Sequence, residues 1–189
     1  QGGGWRYKPK QDGDTSATGW QITALHTARA GGLAIPNATW VGASSFLDFV
    51  SADRGALYGY TTPTGKSNTT PIGLLGRVYT GWPLDHEALQ RGVDMLDRMG
   101  PDDDNYYFNY YVTNLMQHVG GEKWTRWNQK QRDLLISQQD TTGVTAGSWY
   151  RIGTGNHTIE RGGRLCCTAL ATLILESYYR HVPALSAEN

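Results

Sequence analysis

Cysteine is almost missing from this chain. The only two, Cys166 and Cys167, are neighbours. Adjacent cysteines rarely bond to each other, so a disulfide framework is excluded, and the pair reads as buried small hydrophobes. No apolar run is long enough to span a bilayer. An excess of charge is absent too, with 17 basic against 17 acidic residues. That balance excludes a nucleic-acid-binding tract and a polybasic membrane anchor. Neither an initiator methionine nor a signal peptide precedes Gln1, so a processed product or an excised piece of a longer chain is expected. Three glycosylation sequons, at Asn37, Asn68 and Asn156, match a pattern that is common by chance.

What the chain does have is glycine, 24 residues, and large rings, 7 Trp and 11 Tyr, within 189 residues. That length suits one domain, 1–189, with a sizeable core. Such rings either line a pocket or fill gaps between helices. Apolar periodicity predicts helices over residues 15–30, 36–50, 69–79, 85–99, 105–119, 123–138 and 163–179. Asp14 and Thr15 can cap the first, Gly31-Gly32 stops it, and Pro36 opens the second. A Gly/Pro/Thr loop with a short hairpin is expected near residues 56–63, and a long polar loop over 139–161. The result is three antiparallel helix pairs plus one helix, with short links inside each pair.

The stretches that lead into the odd-numbered helices resemble one another. They are Gly4-Trp5-Arg6-Tyr7, Leu57-Tyr58-Gly59-Tyr60, Tyr106-Tyr107-Phe108 and Gly147-Ser148-Trp149-Tyr150. Three helix openings are also alike: Asp14-Thr15-Ser16-Ala17-Thr18, Asn68-Thr69-Thr70-Pro71 and Cys166-Cys167-Thr168-Ala169. Small and hydroxyl residues there permit capping and close backbone approach. This is an internal repeat. A two-helix repeat cannot bury both its faces alone, so repeats must stack, odd helices in one layer and even helices in the other.

Gly147-Ser148-Trp149, downstream of Leu134-Leu135 and Gln138-Gln139, resembles the glutamine–tryptophan repeat of squalene and oxidosqualene cyclases, with a longer Gln-to-Trp spacing. Residues 1–5 resemble the end of another such repeat. Across nearly the whole chain, Asp14-Thr15-Ser16-Ala17-Thr18-Gly19-Trp20-Gln21, Gly162-Gly163-Arg164-Leu165 and Glu176-Ser177-Tyr178-Tyr179-Arg180 resemble bacterial proteins carrying prenyltransferase and squalene-cyclase repeats. The resemblance implies an all-α fold, a partial α/α toroid of antiparallel helix pairs with odd helices inside. A full ring of that family holds more helices than the seven read here. The missing part is expected from the rest of a parent chain or from self-association, because a half ring leaves apolar edges exposed.

In the cyclases an Asp-x-Asp-Asp motif followed by Thr supplies the initiating proton. Aligned on Asp14-Thr15, this chain has Gly13 at the protonating position and Gln11 at the first. General acid catalysis needs a carboxyl in reach, and Asp12 could serve only if the loop is re-routed, so Asp14 is expected to cap the helix. The family's prenyltransferases use zinc. Cys166 or Cys167 with His157 and Glu160 lacks zinc-like spacing, so neither metal nor other cofactor is expected. Asp102-Asp103-Asp104 complements the start of the fifth helix, and Trp124 and Trp127 are expected to pack an outer helix. His157, Glu160, Arg161 and Arg164 form the one polar cluster of acid, base and cation, leaving Asp12, Asp14, His157 and Glu160 as the catalytic candidates. Candidate ligand-binding residues are Arg164 and an aromatic mouth of Trp5, Tyr7, Trp20, Tyr58, Tyr60, Tyr106, Tyr107, Tyr110 and Trp149. Three functions compete: a binding or scaffolding module; an isoprenoid-binding or cyclase-like protein; and a carbohydrate-active toroid using Asp14 and Glu160.

Overall fold

A computed structural model describes the backbone over residues 2–151 and 157–180, and the side chains over residues 2–151 and 161–179. The described residues form seven α-helices and one two-stranded sheet. Among them, no helix is long and apolar enough to cross a membrane. The chain divides into two compact units, one running to Met95 and the other starting at Leu96.

The first unit holds α1 (Thr15–Ala30), α2 (Asn37–Val50), β1 (Ser51–Ala52), β2 (Leu57–Tyr58), α3 (Thr70–Thr80) and most of α4 (Glu87–Met99). β1 and β2 pair antiparallel, Ser51 opposite Tyr58; only the second strand of this hairpin falls in the 56–63 stretch expected to hold one, and the first precedes it at 51–52. α3 is the centre of this unit and packs against α1, α2 and β2. The reason is local: α3 carries apolar or small residues on nearly every face, and nine of its eleven residues are buried. α4 is amphipathic, with Ala88, Leu89, Val93 and Leu96 buried and the ion pair Glu87–Arg91 at 2.9 Å on its outer side. Gly92 lets α4 approach closely, because a Cβ there would lie 2.6 Å from a Leu74 methyl.

The second unit holds α5 (Tyr106–Val119), α6 (Gly121–Gln138) and α7 (His157–Arg180). α5 packs most extensively on α7 and also on α6. Trp127 of α6 is fully buried, and its indole N–H donates to Thr113 Oγ1 of α5 at 2.9 Å, the packing role expected for this ring. The polar stretch expected to be loop through residue 161 is helical from His157 onward. Gly163, at φ 58° and ψ −154°, interrupts that helix. This backbone region is open only to glycine, so the regular apolar pattern starts after it.

Candidate functional site

The odd helices share one device. In α1, Thr18 Oγ1 accepts from the Trp5 N–H at 2.9 Å and donates to the Trp5 carbonyl at 3.3 Å. In α7, Thr168 does the same to Trp149, at 3.1 Å and 3.2 Å. In α3 the task is divided: the Tyr58 N–H donates to Thr70 Oγ1 at 3.1 Å, and Thr69 Oγ1 donates to the Tyr58 carbonyl at 2.6 Å. In α5 an amide replaces the hydroxyl, with Asn109 accepting from the Asp102 N–H at 2.9 Å and donating to the Asp102 carbonyl at 2.7 Å. Each clamp holds both backbone groups of the residue it grips, and Trp5, Asp102 and Trp149 lie in no strand, whereas Tyr58 is also paired in β2. In α1 and α5 the register extends to the helix start, whereas Thr70 is itself the first residue of α3. Asp14 caps α1 by accepting from the Ala17 N–H, and Asn105 caps α5 by accepting from the Phe108 N–H. Thr18, Thr70 and Asn109 each donate their backbone N–H four residues back, to Asp14, Lys66 and Asn105. Thr18, Thr70, Asn109 and Thr168 are therefore equivalent positions.

At the start of α1 two loops converge. The Asp14 N–H donates to the Trp5 carbonyl and the Thr15 N–H to the Tyr60 carbonyl, while Thr15 Oγ1 donates to the Gly59 carbonyl at 2.6 Å. Asp14 is fully buried. One carboxylate oxygen accepts from Ala17 at 2.8 Å, and the other lies 3.4 Å from Arg6 Nε. The Arg6 guanidinium stands 6.0 Å from the Tyr60 ring centroid. Burial, then the adjacent Asp14 charge, pushes the Tyr60 hydroxyl up to about 12. Outside this cluster opens a hollow of about 620 Å³ lined by residues 2–12, which carry Trp5, Arg6, Tyr7, Lys8, Lys10 and Asp12. Three cations and two rings around one opening favour a small anion with an apolar body.

No family model, curated protein or solved structure matches this chain. Its site is therefore read from its own geometry. Position 13 cannot carry a carboxyl without moving the loop, because a Cβ on Gly13 would sit 2.7 Å from Gly4 Cα. Asp14 is the N-cap that its place before α1 predicts, and Asp12 is exposed on the hollow. The side chains of His157 and Glu160 lie outside the described residues. Cys167 is buried and Cys166 half-buried; burial, with the neighbouring Cys167, raises the Cys166 thiol above its ordinary range. Among the described residues, no group of three His, Cys, Asp or Glu side chains is placed to hold a metal ion.

The nine aromatic candidates divide by burial. Trp5, Tyr7 and Tyr60 gather at the start of α1, with Tyr7 80% exposed. Trp20 and Tyr107 are partly exposed on their helices. Tyr58, Tyr106, Tyr110 and Trp149 are buried and belong to the core. Tyr106 donates to Gln138 at 2.8 Å, and burial pushes its hydroxyl up to about 12. Trp149 donates its indole N–H to the Leu135 carbonyl at 2.8 Å. Tyr58 lies flat against Gly73, where any Cβ would collide with its ring, and its hydroxyl accepts from Arg77 Nε at 2.9 Å. Arg164 ion-pairs with Asp140 and contacts Ser148 Oγ at 2.9 Å, tying the loop to α7. The hydrogen bond from Arg164 holds the Asp140 carboxyl below its ordinary range.

Two features of the structure stand outside the candidates read from sequence. Arg77 is buried within α3, bonded to Tyr58, to Ser44 and to Asp48, with its guanidinium 4.7 Å from the Trp82 ring centroid. The basic residues Arg6, Lys8 and Lys10 are visible in the sequence as a cationic run interleaved with rings over residues 5–10.

Proposed function

We infer that this chain is a helical-repeat binding module of the partial α/α toroid type, related in plan to squalene-cyclase and prenyltransferase repeats. The recurrent clamp carries this reading: four odd helices hold their preceding loops by one device in one register. Such loops are natural places for ligand contacts on a rigid scaffold. Asp14 serves as a cap and as the partner of Arg6, which favours holding over proton transfer.

The hollow beside Arg6 favours an isoprenoid-like ligand with an anionic head over a neutral sugar, because cations and rings line it together. The test is titration of the whole chain with a short prenyl diphosphate, its neutral alcohol and a neutral oligosaccharide, read by tryptophan fluorescence and native mass spectrometry. Saturable binding of the diphosphate, weakened at least tenfold by Arg6→Ala, is expected. Equal binding of the oligosaccharide, or no saturable binding of any probe, overturns the ligand assignment.

A further inference from the structure

The clamp register aligns the odd helices residue by residue and exposes an asymmetry in their cover. Position 22 of α1 aligns with 74, 113 and 172, and position 24 with 76, 115 and 174. These mark two opposite faces. In α1 the first face is covered: Ile22 is fully buried, its Cδ1 lies 3.4 Å from where a Cβ on Gly76 would sit, and His26 stacks on Tyr79 at 4.1 Å. The first face of α1 thus meets the second face of α3. In α3 and α5 both faces are buried, through Leu74 and Gly76 and through Thr113 and Leu115. In α7 only the second face is buried, through Leu170, Ala171, Ile174 and Ser177.

What α1 leaves open is its second face, Gln21, Ala24 and Thr27. What α7 leaves open is its first face, including Leu165 at 82% exposure, Thr172 and Leu175. The α1 stripe carries no charge, and the α7 stripe carries one, Glu176, at the position that aligns with His26. The hydroxyls of Thr27 and Thr172 are turned back onto carbonyls of their own helices, at 3.0 Å and 2.8 Å, so at these two positions the stripes present methyl groups. The face that α1 lends to α3 is the one α7 leaves open, and the face that α7 buries is the one α1 leaves open.

We propose that α7 of one copy docks on α1 of a second copy, continuing the odd-helix packing from chain to chain. The occupant follows from this complementarity, since each chain carries both halves of the contact. It rests on the repeat register and not on the hollow, so failure of ligand binding leaves it standing. The contact is heterologous, with a different patch on each side.

Sedimentation velocity across the micromolar range tests it, using wild type, Ala24→Arg and Thr172→Arg. Both substitutions place a good helix former at an exposed site, and circular dichroism with thermal melting checks that each folds. Wild type is expected to show concentration-dependent species of two or more chains. Each variant alone should lose them and sediment as one chain. Their equimolar mixture should regain a two-chain species and grow no further, because only one intact α7–α1 pairing remains. A wild type that stays a single chain, a variant that associates like wild type, or a mixture that stays single overturns the proposal. Association of a different protein on α1 in place of a second copy overturns the choice of occupant.

Discussion

α1 and α3 are neighbours in one unit and begin with the same clamp, yet they are covered very differently. α3 buries nine of its eleven residues, whereas α1 buries four of sixteen. The difference is readable from the pattern each carries. α3 has Ile72, Leu74, Leu75 and Tyr79 distributed around its axis, with Gly73 and Gly76 where other groups come close. α1 shows Gln21, Ala24 and Thr27 on its far side. A helix apolar all round is an interior helix, and a helix with one modest stripe is half covered. Shared local chemistry sets where each helix starts, and the far face decides how much of the core it carries.

The largest test of that contrast is a pair of truncations at one repeat position. Tyr79→Ala on α3 removes a ring that is 4% exposed and is expected to lower stability by about 3–5 kcal/mol, as for other buried aromatics. Thr27→Ala, at the equivalent place on α1, is expected to change it by less than about 0.5 kcal/mol, as at other exposed sites. Urea unfolding of the two variants decides; equal losses would erase the distinction between the helices.

The next effect concerns Arg77, which ties α3 to α2 and β2. Arg77→Met removes the donor to the buried Tyr58 hydroxyl and should cost about 1–3 kcal/mol, the penalty for stranding a buried polar group. Arg77→Lys keeps the charge but cannot reach Tyr58, Ser44 and Asp48 together, so it is expected to recover little. Asp48 is 70% exposed on its side chain, so Asp48→Asn should matter much less in the same unfolding assay.

A smaller effect lies at the start of α1. Asn is as good an N-cap as Asp, so Asp14→Asn keeps the cap and deletes the charge beside Tyr60. Tyr60 has a folded-state value raised from 10.0 to about 12. Its contribution to stability is complete below 10.0 and is lost as pH climbs through about 12. Phenolate absorbance, taken as the difference from a Tyr60→Phe variant, should show the transition moving to lower pH in Asp14→Asn. An unmoved transition would mean that the Asp14 charge does not act on Tyr60.

Much of the helix layout is legible in the sequence, because Gly31-Gly32, Pro36 and Gly120-Gly121 punctuate strongly periodic runs. α1 spans the residues its pattern predicts. The repeat is also legible, since Thr18, Thr70 and Thr168 recur in similar helix openings. Asn109 is not, because an amide replaces the hydroxyl and only geometry reveals the same double hydrogen bond. Nor does the sequence separate exposed rings from buried ones. Tyr58 and Tyr7 stand in similar strings, and burial of Tyr58 depends on Gly73 and Arg77, well downstream. Arg77 looks like any surface arginine until Ser44 and Asp48, 33 and 29 residues away, are brought beside it.

The most direct measurement is residue-resolved amide hydrogen exchange on the whole chain, with and without Thr70→Val. The repeat account predicts that the N–H groups of Trp5, Tyr58, Asp102 and Trp149 exchange slowly for loop amides, because each is held by a clamp. It further predicts that Thr70→Val accelerates Tyr58 while leaving Trp149 protected. Four amides that exchange as fast as unbonded loop neighbours would contradict a common clamped register.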